Sequence, residues 1–537
     1  MVDVSTIPEP ASPAEQPRTV AVIEVGTTSI RMAIAEVEPS GAVRMLEALS
    51  QGVSLGKETF TRGEIGKQTI EDCARVLKAY CRKLEEYDVR QDDQLRVVAT
   101  SAVREALNQM AFVDRIYIAT GLTVRPIDEA EVHRITYRSI QPLLAAEPRF
   151  TDAHTFICEV GGGSTELLVV ERGNVKYSHS YRLGSLRLRQ SLQGLRTSAE
   201  KVREIIELES QQALDNLVQH VPASTGAQLL TLGGEMRFAA RQLIPDWDPE
   251  TLGVIEVPQL ARLTDAVLGM SEEAIVRKYH VTLPEAETLA PALLINLQLA
   301  EILSLEQITV SVANLRDGLL REMGDQSIWT DDFRSQIIHS ALELGRKYQF
   351  DEPHAQHVAE LSVLLVAALR EEHGRDARAE LVLYLAALLH EIGGFVSHTS
   401  LHKHSMYLIQ HSDLFGLSPD DVLLVALVAR YHRRASPKPT HQGFNTLERD
   451  RRVTVSKLAA ILRIAIALDA SRTQRVRDVT CHRERQRLVV SIPQFEDLSV
   501  EQLALRQGRS LFEEIYGMAV QLRPQAPREV KQPSSQL

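Results

Sequence analysis

Four segments of the chain combine carboxylates, hydroxyls and glycines at the ends of β-rich runs, a combination suited to gripping phosphate. In Glu24-Val25-Gly26-Thr27-Thr28-Ser29, a carboxylate precedes a turn of small residues. Such a turn offers backbone N–H groups and hydroxyls to an anion, and the carboxylate can hold a divalent cation directly or through water. In Glu159-Val160-Gly161-Gly162-Gly163-Ser164-Thr165-Glu166, three glycines remove every Cβ from one side of the loop, so amides can approach an anion closely. In Ala99-Thr100-Ser101-Ala102-Val103-Arg104-Glu105, a strand gives way to a helix whose first hydroxyls and following arginine form a phosphate cradle. In Thr231-Leu232-Gly233-Gly234-Glu235, another strand ends in paired glycines. Each has a plainer explanation: a hairpin for the first, a flexible turn for the second and fourth, and a capping box for Ser101 and Glu105.

The elements that must position these segments repeat. Residues 20–24 and 30–37 are β-rich runs flanking the first turn, and residues 156–159 and 167–171 flank the triple glycine in the same way. Each pair is followed by a further turn and strand, so the sequence carries an internal duplication. Between the copies, residues 69–86 and 129–143 show helical periodicity and residues 95–99 read as a buried strand, which makes the class α/β. After Trp329 long helical patterns take over, at 355–369, 380–390 and 420–431. Residues 487–492, 502–518 and 519–522 suggest a small strand-and-helix cap.

Composition narrows the function classes. A chain of 537 residues exceeds what one core usually supports, so three or more domains are expected. Hydrophobic residues make up 44% and charged residues 24%, and no apolar run approaches the roughly 18 residues of a bilayer span. Four scattered cysteines (Cys73, Cys81, Cys158, Cys481) suit a reducing compartment, so a cytoplasmic location is expected. The formal charge of −11 disfavours a general nucleic-acid binder. The Pro-, Ser- and Ala-rich start lacks the marks of a secretory signal and reads as a disordered lead-in.

Taken in order, these segments resemble the exopolyphosphatase and guanosine pentaphosphate phosphohydrolase family, within the actin, hexokinase and Hsp70 superfamily. The resemblance runs from Val20 to about Leu522. It also includes Leu183-Gly184-Ser185, Leu315-Arg316-Asp317-Gly318-Leu319-Leu320, His402-Lys403-His404-Ser405 and Arg430-Tyr431-His432-Arg433. It implies a duplicated, actin-like (ribonuclease H-like) α/β core, an all-α HD-like domain and a small C-terminal α+β cap. The implied divisions are a disordered lead-in over 1–17, core subdomains over 18–142 and 143–326, the helical domain over 327–474, the cap over 475–524 and a disordered tail over 525–537.

In relatives the terminal phosphoryl group of a polyanion lies between the two halves and is cut by water. The resemblance implies Glu105 as general base with Glu166 assisting, and a pKa raised by the neighbourhood would suit a base near neutrality. Phosphate contacts fall to Gly26, Thr27, Thr28, Ser29, Thr100, Ser101, Arg104, Gly161, Gly162, Gly163, Ser164, Thr165, Gly233 and Gly234. Glu24 and Glu159 would hold Mg²⁺ or Mn²⁺. A basic strip with Arg430, His432, Arg433 and Arg434 would line a polyphosphate channel, and relatives of this length imply a homodimer with no nucleic-acid or membrane partner.

Departures from the family pattern cluster at the site. Glu24 and Glu159 stand where aspartates are usual, one methylene longer. Residues 127–132 (Ile-Asp-Glu-Ala-Glu-Val) lack the serine-glycine start and the glutamate triplet, and Thr28, Ser54 and Glu235 replace asparagine, arginine and threonine. An HD-type phosphodiesterase would use His354, His390 and acidic partners as metal ligands, but its His-Asp pair reads His390-Glu391 here and Ile466 fills a later aspartate position. Histidines without a metal are therefore expected in that domain. Removal of terminal phosphate from inorganic polyphosphate is the leading expectation. The alternatives are 5′-phosphate removal from guanosine pentaphosphate, a sugar or acetate kinase, and a catalytically weakened regulatory binder of polyphosphate or guanosine tetra- and pentaphosphate.

Overall fold

The computed structural model describes residues 17–525 apart from 91–92, 152, 193–197, 221–225, 326–330, 370–375, 478 and 494–496. The expected lead-in before residue 17 and tail beyond 525 lie outside these. The chain falls into two compact units, Met1–Ile328 and Trp329–Leu537.

In the first unit, the β-rich runs form two sheets. Strands β1 (Arg18–Val25), β2 (Ser29–Val37), β3 (Val43–Gly52), β4 (Leu95–Ala99) and β5 (Arg125–Pro126) lie in the order β3-β2-β1-β4-β5. Strands β6 (His154–Val160), β7 (Thr165–Glu171), β8 (Asn174–Tyr181), β9 (Gln228–Leu232), β10 (Gly253–Glu256) and β11 (Gln307–Val310) lie in the order β10-β11-β9-β6-β7-β8. In each sheet the first strand of the repeat pairs antiparallel with the next strand and parallel with a later one: β1 with β2 and β4, β6 with β7 and β9. The duplication read from the turns is thus a duplication of sheet topology.

The central strands are buried on both faces, which explains their unbroken apolar character. Ala21, Ile23 and Val25 of β1 join one core with Ile70, Cys73 and Leu77 of helix Lys67–Glu86. Val20 and Val22 join another with Ile135 of helix Glu129–Ala146 and Leu319 of helix Leu315–Gly324. The second repeat is built around helix Leu283–Ile302, in which every residue from Pro291 to Ala300 is buried. A helix buried on all sides shows little amphipathic period, so its pattern is weak in the sequence.

The second unit is mainly helical, with Asp331–Lys347, Glu352–Ala368, Ala377–Leu389, Leu401–Gln410, Pro419–Arg430 and Arg449–Leu468. A three-stranded sheet of β12 (Thr480–Glu484), β13 (Arg487–Pro493) and β14 (Ala519–Gln525) follows. The single helical run expected at 502–518 is two helices, Ser499–Gly508 and Ser510–Tyr516, separated at Arg509.

One contact in the first unit has no room for a side chain. A Cβ on Gly318 would lie 2.1 Å from the carbonyl oxygen of Ile135, so helices Leu315–Gly324 and Glu129–Ala146 approach at backbone distance. Gly318→Ala should force them apart and lower stability by about 1–3 kcal/mol, measured by urea unfolding at constant m-value.

Candidate active site

Equivalent turns end the first strand of each repeat. The amide of Gly26 donates to the Ser29 carbonyl at 3.0 Å, and that of Gly161 donates to the Ser164 carbonyl at 2.8 Å. Both turns, with Thr100, Ser101, Arg104, Gly233 and Gly234, line one cleft. Of the expected phosphate-binding residues, Gly163 and Thr165 are not among those lining it.

The glycines do more than expose amides. A Cβ on Gly162 would lie 2.7 Å from Cγ2 of Thr27, and one on Gly163 would lie 2.4 Å from Oγ of Ser101. The triple glycine therefore lets the loop of the second repeat close against the first repeat. Helix Ser185–Ser191 fixes its orientation: the amide of Ser185 donates to the Gly161 carbonyl, and the amides of Leu186 and Arg187 donate to that of Gly162. A trans peptide sets its N–H opposite its C=O, so the amides of Gly162 and Gly163 face away from this helix.

Four carboxylates line the cleft: Glu24, Glu159, Glu166 and Glu235. Strand register gives the first three distinct surroundings. Glu24 lies opposite Arg31 across β1 and β2, whereas Glu159 lies opposite Glu166 across β6 and β7. Residues directly opposite share a face, where unlike charges attract and like charges repel. Glu24 is ion-paired to Arg316 and lies 3.6 Å from Arg31. Burial alone would raise its pKa, but these guanidiniums hold it below the ordinary carboxylate range. Glu159 has burial and the charge of Glu24 acting together, only partly opposed by Arg237, and its pKa is pushed up to about 7.

Glu166 is buried and fully partnered. His133 Nε2 donates to Oε2 at 2.8 Å, and the hydroxyls of Ser164 and Ser180 donate to Oε1 at 2.7 and 3.0 Å. Burial would raise its pKa, but the His133 contact, the Ser164 hydrogen bond and the charge of Arg104 outweigh it and lower the value.

Glu105 does not line the cleft. Arg187 donates to both its oxygens at 2.8 and 2.7 Å, and Arg182 to one at 2.9 Å. Arg187 also donates to the Gly163 carbonyl at 2.9 Å and lies over the Phe60 ring. In this arrangement Glu105 ties the end of helix Ser101–Arg104 to the segment after the triple glycine, and its oxygens are occupied by cations. Glu105, expected as the base, is thus ion-paired outside the cleft lining in this structure.

Cations at the cleft are more numerous than the sequence motifs suggested. Arg31, Arg104, Arg237 and Arg316 all line it, and Nη1 of Arg237 is buried without a hydrogen-bond partner among the described residues. Only Arg104 was singled out beforehand for phosphate. Arg316 lay within a quoted motif without a role, while Arg31, Arg237 and His133 sit in elements whose proximity emerges only on folding. Val132 places apolar surface at the cleft wall.

The expected ion site at Glu24 and Glu159 does not fit a cation shared by the two carboxylates. The Glu24 carboxylate is taken up by Arg316 and Arg31. Among the described residues, the cleft carboxylates form no group of three whose ligand atoms gather within reach of one ion.

In the second unit, Arg433 and Arg434 are exposed, while Arg430 is half-buried with Nη1 near Met406 Sδ. His432 is buried at 8% exposure with its ring against His390, so it does not join an exposed basic strip.

Comparison with known proteins decides the family. The model of the Ppx/GppA phosphatase family matches residues 33–327, more than half of the chain, and that of Ppx/GppA phosphatase domain III matches residues 338–506. The chain belongs to the Ppx/GppA phosphatase family. It is 22% identical over 444 residues, 82% of its length and 86% of the relative's, to a guanosine-5′-triphosphate,3′-diphosphate pyrophosphatase of Photobacterium profundum. Among solved structures, an exopolyphosphatase from Cytophaga hutchinsonii superposes with a TM-score of 0.52 at 22% identity, covering 57% of this chain and 98% of that one. An exopolyphosphatase-like protein superposes with a TM-score of 0.50 at 19% identity, covering 57% and 97%. The fold is the duplicated actin-like α/β core with a helical C-terminal region, and the chain is a phosphoric anhydride hydrolase. No helix among the described residues is long and apolar enough to cross a membrane.

The electrostatic contrast has a thermodynamic signature. Glu159 binds a proton more tightly folded than unfolded, so the fold loses stability as the pH rises from the ordinary carboxylate value of 4.5 to about 7 and carries the full penalty above that. Glu159→Gln should raise stability at pH 8 by on the order of 1–3 kcal/mol and change it little near pH 4. Thermal unfolding of both proteins across that range checks the sign.

Proposed function

We propose that this Ppx/GppA family phosphatase removes terminal phosphate from inorganic polyphosphate, with Glu159 as the base that activates water. The observation that carries the base assignment is the position of Glu159. It lines the cleft opposite Glu166, and no salt bridge among the described residues ties it, whereas Glu24 and Glu105 are held by guanidiniums and Glu166 by three hydrogen bonds.

The terminal phosphate enters between the two turns, where Thr27, Thr28, Ser29, Ser101 and the amide of Gly162 offer donors. Arg31, Arg104, Arg237 and Arg316 balance its charge. The oxygen of a water molecule attacks the terminal phosphorus and Glu159 accepts its proton. The bridging P–O bond breaks, and the shortened chain leaves with the electron pair. Such a reaction needs positioning and charge balance more than covalent help. Burial and the charges of Glu24 and of Glu166, the latter kept ionised by His133 and Ser164, raise the proton affinity of Glu159. Divalent cations enter as the counterions of the polyphosphate substrate.

The cleft lining of glycines, hydroxyls and charged groups contains, among the described residues, no aromatic ring on which a guanine could stack, which favours an inorganic chain. A second reading, phosphate removal from guanosine pentaphosphate, is favoured by the similarity to the Photobacterium relative named for it. Comparing phosphate release from long polyphosphate and from guanosine pentaphosphate separates the two.

Because Glu159 works ionised, kcat/KM should rise with pH through an acid limb near pH 7. Glu159→Gln should lower kcat by about 10²–10⁴-fold and abolish the limb. Glu105→Gln should keep the limb and lose at most about 10-fold. An intact limb in Glu159→Gln, or its loss in Glu105→Gln, would return the base role to Glu105.

A further inference from the structure

Two of the four cleft carboxylates, Glu159 and Glu235, make no hydrogen bond or salt bridge among the described residues. Glu159 has the role proposed above, and Glu235 has none. Strand β9 delivers Glu235 to the cleft: Leu232 stands level with Glu159 across the parallel pair β6 and β9, and the chain turns at Gly233 straight into helix Gly234–Leu243. Gly233 has a φ of 100°, a left-handed conformation in which a side chain would be strained. A Cβ on Gly233 would lie 3.8 Å from Oε2 of Glu235, and one on Gly234 would lie 3.9 Å from Nη2 of Arg237. A carboxylate and a guanidinium thus stand beside the paired glycines.

The charges of Glu159 and Glu235 both act on Arg237. An anion entering the cleft therefore meets an attraction to Arg237 that Glu235 partly offsets, together with direct repulsion by Glu235 itself. The reaction proposed above sharpens this repulsion. When water attacks the terminal phosphorus, its proton goes to Glu159 and the bridging oxygen leaves with the bonding pair. The phosphates in the cleft together gain one negative charge, so Glu235 opposes the products more strongly than the substrate.

We propose that Glu235 is a specificity residue of the cleft, whose carboxylate keeps orthophosphate weakly bound and so promotes its release. A chain of many phosphates is retained by contacts beyond its terminal group, whereas the released orthophosphate has no such contacts. Repulsion of an unwanted ligand separates it from the wanted one as effectively as added attraction does. The plainer role of Glu235 is to face the positive end of helix Gly234–Leu243 from its first turn, which asks nothing of phosphate. The inference rests on the phosphatase reading above, but orthophosphate affinity is measured without turnover, so the two can fail separately.

Binding of radiolabelled orthophosphate to the full chain is measured by equilibrium dialysis at pH 8 without divalent cations. Glu235→Gln, which keeps the side-chain shape and loses the charge, should bind orthophosphate about 5–30-fold more tightly. Glu235→Asp, which keeps the charge, should stay within about 3-fold of the parent. The gap between the parent and Glu235→Gln should narrow at about 1 M salt, where the Debye length is about 3 Å. Glu250→Gln, at an exposed loop position, should bind orthophosphate as the parent does. With polyphosphate as substrate, orthophosphate should inhibit Glu235→Gln at lower concentrations than it inhibits the parent. No gain in orthophosphate binding in Glu235→Gln would leave Glu235 a helix-end group and overturn the proposal, as would a gain that salt does not diminish or that Glu235→Asp shares. Tighter orthophosphate binding in Glu235→Gln, in a protein that releases no phosphate from polyphosphate, would uphold the repulsion and count against the phosphatase reading.

Discussion

Unlike charged surroundings of the glutamates at two equivalent strand ends govern this cleft. In the first repeat the register sets Glu24 opposite Arg31, and in the second it sets Glu159 opposite Glu166. The topologies match, yet the charges produce opposite results: one carboxylate is neutralised and fixed, the other repelled and proton-hungry. A duplicated scaffold can thus carry unlike chemistry at its two matching positions. The difference lies in the charges gathered round each glutamate: Arg316 and Arg31 beside Glu24, and, added to burial, the charges of Glu24 and Glu166 beside Glu159.

The rest of the site protects that contrast. His133, Ser164 and Ser180 keep Glu166 ionised even though it is buried, so its field acts on Glu159 through the physiological pH range. Glycines at 162 and 163 bring the second turn against Thr27 and Ser101, which sets the two repeats at the separation the cleft needs. Arg187 connects this loop to Glu105, so a residue expected to do chemistry contributes to the geometry of the loop. Four arginines against four glutamates leave the cleft nearly balanced in charge, and an entering polyanion meets guanidiniums that need not all be surrendered by their partners.

Much of this was legible in the amino-acid order. The glycine turns, their flanking strands and the duplication follow from local composition, because turn chemistry is a short-range property. The carboxylates that line the cleft were visible for the same reason. Their partners were not: Arg316 lies 292 positions from Glu24, and the order of residues does not say that Arg187 and Arg182 would claim Glu105. Helix Leu283–Ile302 escaped because a helix buried on all sides carries little period.

The central claim is that the fields of neighbouring carboxylates, added to burial, raise the proton affinity of Glu159. Carboxyl-carbon NMR of glutamate-labelled protein, with the Glu159 resonance assigned by difference from Glu159→Gln, measures it without reference to turnover. A titration near pH 7 that moves lower in Glu166→Gln is the result expected here. A Glu159 that titrates below pH 5 in the parent protein, or one indifferent to the charge at Glu166, would contradict the account.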